Sequence, residues 1–151
     1  MNSFRAGLFV RHNAEIAHRL LLLPGKCQQI HGHSLDVELS IAGHIDANGI
    51  LAGLDFSNVK SVFRDYLDTM FDHQLHLNAD DPWANILHAE DGDVMLINTM
   101  GGLPGLRTWP GDPTTENFAK WMCEHMHEKF GLPVKIAIIE TQSNGAEYEL
   151  G

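Results

Sequence analysis

The 151-residue sequence has few cysteines, few basic residues and no long hydrophobic run. Its two cysteines, Cys27 and Cys123, are too few for a disulfide framework, which predicts a cytoplasmic protein. Ten lysines and arginines against twenty acidic residues give a net charge of −10, which argues against a nucleic-acid partner. The longest apolar run, residues 20–23, is too short to cross a membrane, and the N-terminal residues predict no secretory signal.

The chain contains enough apolar residues for one folded domain. Hydrophobic side chains make up 44% of the sequence, and no repeat or linker interrupts it. We therefore predict a single domain over residues 1–151. Residues 79–111 are rich in glycine and proline and are predicted to form an insertion, in which residues 93–97 have the pattern of an additional strand.

Hydrophobic periodicity predicts two strands, two helices and two further strands, in that order. The strands are predicted at residues 4–17, 34–41, 134–141 and 146–150. A turn is expected at residues 46–49. The first helix is expected to follow a Ser57 cap, and the second to begin near Asp112-Pro113 and to end at Gly131. This order predicts an α+β domain, with a four-stranded antiparallel sheet covered by two helices on one face.

The segment His31-Gly32-His33 is the clearest candidate for a functional site. In a strand, residues two apart share a face, so both imidazoles point the same way. His18, at the end of the preceding strand, is the natural third ligand. Three histidines that leave a fourth position open are typical of catalytic zinc. The alternative is a pair of half-exposed strand histidines without a metal.

Four more residues have side chains suited to catalysis or ligand binding. Cys27, beside the histidines, is a candidate base or nucleophile; the alternatives are a fourth metal ligand or a small buried side chain. Asp72-His73 is a candidate carboxylate–imidazole pair, or else a helix-end cap. Glu140 ends an apolar strand, where a charge requires a partner such as a guanidine-like edge of a heterocycle.

Together these segments resemble the 6-pyruvoyl-tetrahydropterin synthase superfamily, and most closely its 6-carboxy-tetrahydropterin synthase branch, called QueD. The resemblance covers about residues 14–78 and 112–148. The matching segments, in chain order, are Ala17-His18-Arg19-Leu20, Cys27 to His33, Leu54-Asp55-Phe56, Asp72-His73, Pro113 to Asn117 and Glu140-Thr141.

The resemblance implies a tunnelling fold, β-β-α-α-β-β, which assembles into β-barrels as a homohexamer (a dimer of trimers) with active sites between subunits. It implies Zn²⁺ on His18, His31 and His33. It also implies that Cys27, Asp72 and His73 are catalytic. Glu140 would anchor the pterin, with Thr114 and Glu116 assisting.

The implied activity is a zinc-dependent lyase of queuosine (7-deazaguanine) biosynthesis. It would convert 7,8-dihydroneopterin triphosphate to 6-carboxy-5,6,7,8-tetrahydropterin, releasing acetaldehyde and triphosphate, with Arg19 and Lys26 as candidate phosphate ligands. In the carboxy branch three residues separate the catalytic cysteine from His-Gly-His, and five in the pyruvoyl synthases; here there are three, from Gln28 to Ile30. The alternatives are a pyruvoyl-type synthase acting on the same substrate and a non-catalytic, zinc-stabilised pterin-binding protein.

Overall fold

Two long antiparallel strands form the centre of the sheet. In the computed structural model, which describes residues 6–87 and 105–151, β1 spans Ala6–His18 and β2 spans His31–Gly43. They pair along their whole length, from Ala6 opposite Gly43 to His18 opposite His31. Both strands extend past their predicted C-terminal ends, and β2 also begins three residues earlier than predicted. The pairing therefore carries the candidate metal ligands into the regular part of the sheet.

Among residues 6–87 and 105–151 the sheet has six strands and is mixed, so the prediction of a four-stranded antiparallel sheet was wrong. The remaining strands are β3 (Gln74–Asn78), β4 (Leu106–Trp109), β5 (Val134–Thr141) and β6 (Asn144–Leu150). Their order is β4-β3-β1-β2-β5-β6, in which β3 lies parallel to both β1 and β4. Strands β3 and β4, of five and four residues, are too short to give a readable alternation of polar and apolar side chains.

Three helices are present among the described residues: α1 (Phe56–Met70), α2 (Pro82–Leu87) and α3 (Thr115–Phe130). The cap of α1 is Asp55 and not Ser57, because the Asp55 carboxylate accepts from the backbone N–H groups of Ser57 and Asn58. Helix α3 begins later than predicted. Its cap is Thr114, whose side chain accepts from the N–H of Asn117.

The ends of two predicted elements are confirmed. Gly131 ends α3 in the left-handed conformation, with φ 63°. The turn at residues 46–49 is stabilised by Asp46, whose carboxylate accepts from the N–H groups of Asn48 and Ile50. Helix α2 and strand β4 lie within the predicted insertion, whereas its predicted strand at residues 93–97 lies outside the described residues.

The hydrophobic core lies between the sheet and helices α1 and α3, as the predicted layering requires. Fully buried side chains alternate along the strands and recur every three or four residues on the helices. Burying a side chain such as Phe63 or Phe118 stabilises the fold by about 2–3 kcal/mol. None of the helices in the described ranges has the length and apolar character needed to span a membrane.

Candidate metal and ligand site

Three histidines converge where β1 ends and β2 begins. His18 lies opposite His31 in the register, and Ile16 lies opposite His33. The three side chains offer ligand atoms that all lie within 4.8 Å of one another. His18 is buried, and the other two are partly exposed toward a cleft. The predicted clustering of these histidines is confirmed.

The hydrogen bonds of two of these rings leave nitrogen lone pairs facing each other. His18 Nδ1 lies 2.7 Å from the Pro113 carbonyl oxygen, and His31 Nδ1 lies 2.8 Å from the Gln29 carbonyl oxygen. Since a carbonyl only accepts, both rings hold their proton on Nδ1. When both rings are neutral, their Nε2 atoms carry lone pairs, and these two atoms lie 3.1 Å apart. Two lone pairs at this distance repel unless a cation lies between them.

This geometry fits a tetrahedral metal ion. Zn–N bonds of about 2.0–2.1 Å place adjacent ligand nitrogens about 3.3 Å apart. Burial lowers the pKa of His18, which favours the neutral ring that a metal requires. At Gly32 the backbone of β2 lies close to that of β1, because a Cβ on Gly32 would lie only 2.8 Å from the Ile16 carbonyl oxygen. Glycine therefore allows β2 to approach β1 between the two histidine ligands.

Glu140 lies next to this cluster. The register between β5 and β6 shifts between Ile139 and Thr141, so Glu140 has no partner residue in β6. Its Oε1 accepts from the Thr115 hydroxyl at 2.5 Å and lies 3.6 Å from His33 Nε2, and its Oε2 accepts from Asn144 Nδ2 at 2.8 Å. Glu140 is a charged residue on an apolar strand, and its partners are thus two neutral donors and an imidazole.

The histidines and Glu140 open into one cleft of about 1020 Å³. Four of the five predicted substrate-binding residues line it: Lys26, Thr114, Glu116 and Glu140. Cys27, predicted to be catalytic, lines it as well. Cys27 and Lys26 are placed there by a single 3₁₀ turn, Lys26–Gln28, between β1 and β2. The cleft therefore combines a candidate metal centre, a thiol, two carboxylates and one ammonium group.

Arg19 does not line this cleft. Its Nε donates to Asp81 Oδ2 at 2.7 Å, and Asp81 is fully buried. The guanidinium carbon also lies 5.7 Å from the centroid of the Trp83 ring. Arg19 thus neutralises a buried carboxylate, which leaves Lys26 as the cation among the described residues that line the cleft.

His73 lines a different cleft, together with Glu15, Gln74 and Gly105, and Asp72 is hydrogen-bonded to two residues of its lining. Asp72 Oδ2 lies 2.6 Å from His73 Nδ1, and its Oδ1 accepts from the N–H of Glu15. This hydrogen bond, together with the charge of Asp72, raises the pKa of His73. His73 has a φ of 55°, a left-handed conformation that is uncommon outside glycine. The predicted pair exists, but Cys27 does not line the same cleft.

Sequence reasoning missed several contributors to the site. These are Thr115 and Asn144, which hold Glu140, and the Pro113 carbonyl, which orients His18. Thr114, the predicted helper, caps α3. The available signals were the paired threonines at the helix start and the Asn-Gly turn after Glu140.

The fold and site define an α+β protein in which a three-histidine candidate metal site lies beside a cleft. The 6-pyruvoyl tetrahydropterin synthase family model matches residues 8–150, and the chain belongs to this family. The predicted family is therefore confirmed.

The chain is similar to several proteins named 6-carboxy-5,6,7,8-tetrahydropterin synthase. The one from Rickettsia felis is 37% identical over 68 residues, or 44% of this chain and 48% of the relative. The one from Rickettsia bellii is 34% identical over 108 residues, or 70% of this chain and 68% of the relative. The chain spans about half the length of the first curated relatives it matches.

Solved structures share the fold. An uncharacterized protein from Wolinella succinogenes superposes with a TM-score of 0.77 at 18% identity, covering 99% of this chain and 100% of that one. The 6-pyruvoyltetrahydropterin synthase of Plasmodium vivax superposes with a TM-score of 0.71 at 18% identity, covering 99% of both chains.

Proposed function

We propose that the protein is a zinc-dependent lyase. It would convert 7,8-dihydroneopterin triphosphate to 6-carboxy-5,6,7,8-tetrahydropterin, with release of acetaldehyde and triphosphate, in queuosine biosynthesis. The observation that carries this proposal is the opening of the three-histidine cluster, Cys27 and Glu140 into one cleft. A pterin needs a carboxylate for its amino-pyrimidine edge, and its side chain needs a base near a metal.

His18, His31 and His33 would hold the zinc ion. When bound there, zinc supplies Lewis acidity toward the oxygen atoms of the substrate side chain, an effect of several kcal/mol. The chain's own residues orient these ligands, because the carbonyls of Pro113 and Gln29 keep each Nε2 free.

Glu140 would bind the amino-pyrimidine edge of the pterin. The donors Thr115 and Asn144 fix the plane of its carboxylate before the substrate arrives. Preorganised acceptors bind more tightly, since little order is lost on binding. Lys26 at the cleft wall would contact the triphosphate, because it is the lysine or arginine among the described residues that line this cleft.

Cys27 would move protons on the substrate side chain. A positioned general base contributes about 10²–10⁴-fold to a rate. The spacing of three residues between Cys27 and His31 supports the carboxy branch, as do the names of the relatives from Rickettsia. The pyruvoyl-type reaction stays as the second candidate, because the family model and the Plasmodium vivax structure bear that name.

Asp72 and His73 would reach Cys27 from a second copy of the chain. Within one chain Cys27 and His73 line separate clefts. In the part of the chain that the structure describes, strands β4 and β6 form the two edges of the sheet, and unpaired edges invite pairing with other chains. We therefore propose a homohexamer, a dimer of trimers, with sites between subunits.

Product analysis tests the reaction. Zinc-loaded protein is incubated with dihydroneopterin triphosphate, the pterin product is identified by mass spectrometry, and acetaldehyde is measured enzymatically. We expect 6-carboxy-tetrahydropterin and acetaldehyde. Cys123→Ala, which removes a thiol outside the cleft, is the control variant. A pyruvoyl-pterin without acetaldehyde would establish the second candidate, and unchanged substrate would favour a non-catalytic binder.

Complementation tests the shared site. Cys27→Ala and His73→Ala are each expected to be inactive alone. Mixing the two variants under conditions of subunit exchange restores intact sites if Cys27 and His73 come from different chains. Mixtures that stay inactive despite verified exchange, or an active monomer by light scattering, would contradict the shared site.

A further inference from the structure

Asp112 is a buried carboxylate that the proposed reaction does not use. It is 7% exposed. Its Oδ1 accepts from the Leu21 N–H at 3.0 Å and from Asn78 Nδ2 at 2.9 Å, and its Oδ2 accepts from the Leu22 N–H at 2.7 Å. These donors are all neutral, and two of them belong to the backbone that follows the metal ligand His18.

The backbone next to Asp112 also contacts the three-histidine cluster. The carbonyl of the next residue, Pro113, accepts from His18 Nδ1. Asn117 Nδ2 donates to the Asp112 carbonyl at 2.7 Å, which fixes the peptide between α3 and the cleft. A shift of Asp112 would therefore move the group that sets the orientation of His18.

The same carboxylate holds the loop that carries Cys27. The N–H of Leu20 donates to the Cys27 carbonyl at 2.8 Å, and the Gln28 side chain donates to the Leu21 carbonyl at 3.3 Å. The two ends of this loop are thus tied together, and Asp112 ties them to the start of α3.

We propose that Asp112 is a positioning residue for both halves of the site: through Pro113 it orients His18, and through Leu21 and Leu22 it places Cys27. The part that concerns the metal rests on the zinc site proposed above. Residues that do not bind a metal themselves but orient its ligands typically change the metal affinity by about 10–100-fold when they are mutated.

The variant Asp112→Asn tests this with almost no change in shape. An amide replaces one of the two carboxylate oxygens by an N–H₂ group. In one orientation this group faces the N–H of Leu22, and in the other it faces the donors of Leu21 and Asn78, so in both cases a donor loses its acceptor. The loop should lose an anchor while the core is untouched. Asp65→Asn is the matched control, because Asp65 is exposed on α1.

The first measurement is alkylation by iodoacetamide of the zinc-free protein, mapped by peptide mass spectrometry. Cys27 is partly exposed and Cys123 is fully buried, so Cys123 reports global opening in the same sample. We expect Asp112→Asn to raise the Cys27 rate about tenfold while Cys123 stays protected. The second measurement, competition with a chromophoric chelator, should show zinc binding weakened about 10–100-fold.

Two outcomes would overturn the proposal. Reaction of both cysteines would show that Asp112 only stabilises the fold, and unchanged Cys27 reactivity and zinc affinity would show that it positions nothing. If Asp112→Asn does not fold, Asn117→Ala removes the bond to the Asp112 carbonyl that fixes the Pro113 peptide, and unchanged zinc affinity in that variant would overturn the proposal. If the wild-type protein binds no zinc, the proposed metal site fails, while the Cys27 rate still decides whether Asp112 places the loop.

Discussion

His76 makes the stability of the fold depend on pH in a predictable way. It lies in β3, is fully buried, and has both ring nitrogens bonded. Its Nδ1 accepts from Trp109 Nε1 at 2.9 Å, and its Nε2 donates to the Phe71 carbonyl at 3.1 Å. This is the neutral form of the ring, and adding a proton to Nδ1 would break the bond from Trp109.

Burial lowers the pKa of His76 from 6.5 to about 4. Between these values the unfolded chain binds a proton that the folded chain does not, so the free energy of unfolding falls as the pH falls from 6.5 to about 4. The full difference corresponds to about 3 kcal/mol, most of which is lost by pH 4.5. For a domain with a total stability of about 5–15 kcal/mol this is a large share.

Urea unfolding of zinc-free protein at fixed concentration measures the effect. We compare the wild type with His76→Gln, which cannot titrate, at pH 7.5 and pH 4.5. The variant should be less stable at pH 7.5, because its hydrogen bonds fit less well, but its further loss at pH 4.5 should be smaller by about 2–3 kcal/mol. His44→Gln, at an exposed position, should follow the wild type. Equal pH dependence in the wild type and His76→Gln would refute the reasoning.

Three other predictions concern the site. His31→Ala should lose bound zinc by elemental analysis while His125→Ala, on α3, retains it; zinc retained in His31→Ala would contradict the ligand assignment. Cys27→Ala should keep zinc and lower turnover by about 10²–10⁴-fold, whereas loss of zinc would make Cys27 a ligand. Asn144→Asp places a second carboxylate against Glu140, so steady-state kinetics should show that KM rises by a larger factor than kcat falls. An unchanged KM would show that Asn144 does not contribute to substrate binding.

The three-histidine cluster could be predicted from the sequence because its geometry is local. Alternation places His31 and His33 on one face, and a single antiparallel pairing brings His18 opposite His31. The long strands and helices were predictable for the same reason, since their periodicity extends over many residues.

Contacts between distant segments could not be predicted in this way. Asp81, which binds the Arg19 side chain, lies 62 residues further along the chain. Thr115, which holds Glu140, lies 25 residues before it. No periodic pattern connects such residues, and their meeting depends on the position of β3 and α3 in the finished fold.

The positions of the three histidines and of Glu140 imply that the proposed metal site and the proposed pterin site depend on different parts of the fold. The three histidines lie on β1 and β2, the longest strands and the most completely paired. Glu140 depends instead on the hairpin between β5 and β6 and on the first turn of α3. Changes in that hairpin should therefore weaken the proposed pterin binding and leave zinc binding by the histidines unchanged. The start of α3 is the exception, because Pro113 and Thr115 connect it to His18 and to Glu140 respectively, so a change there should affect both.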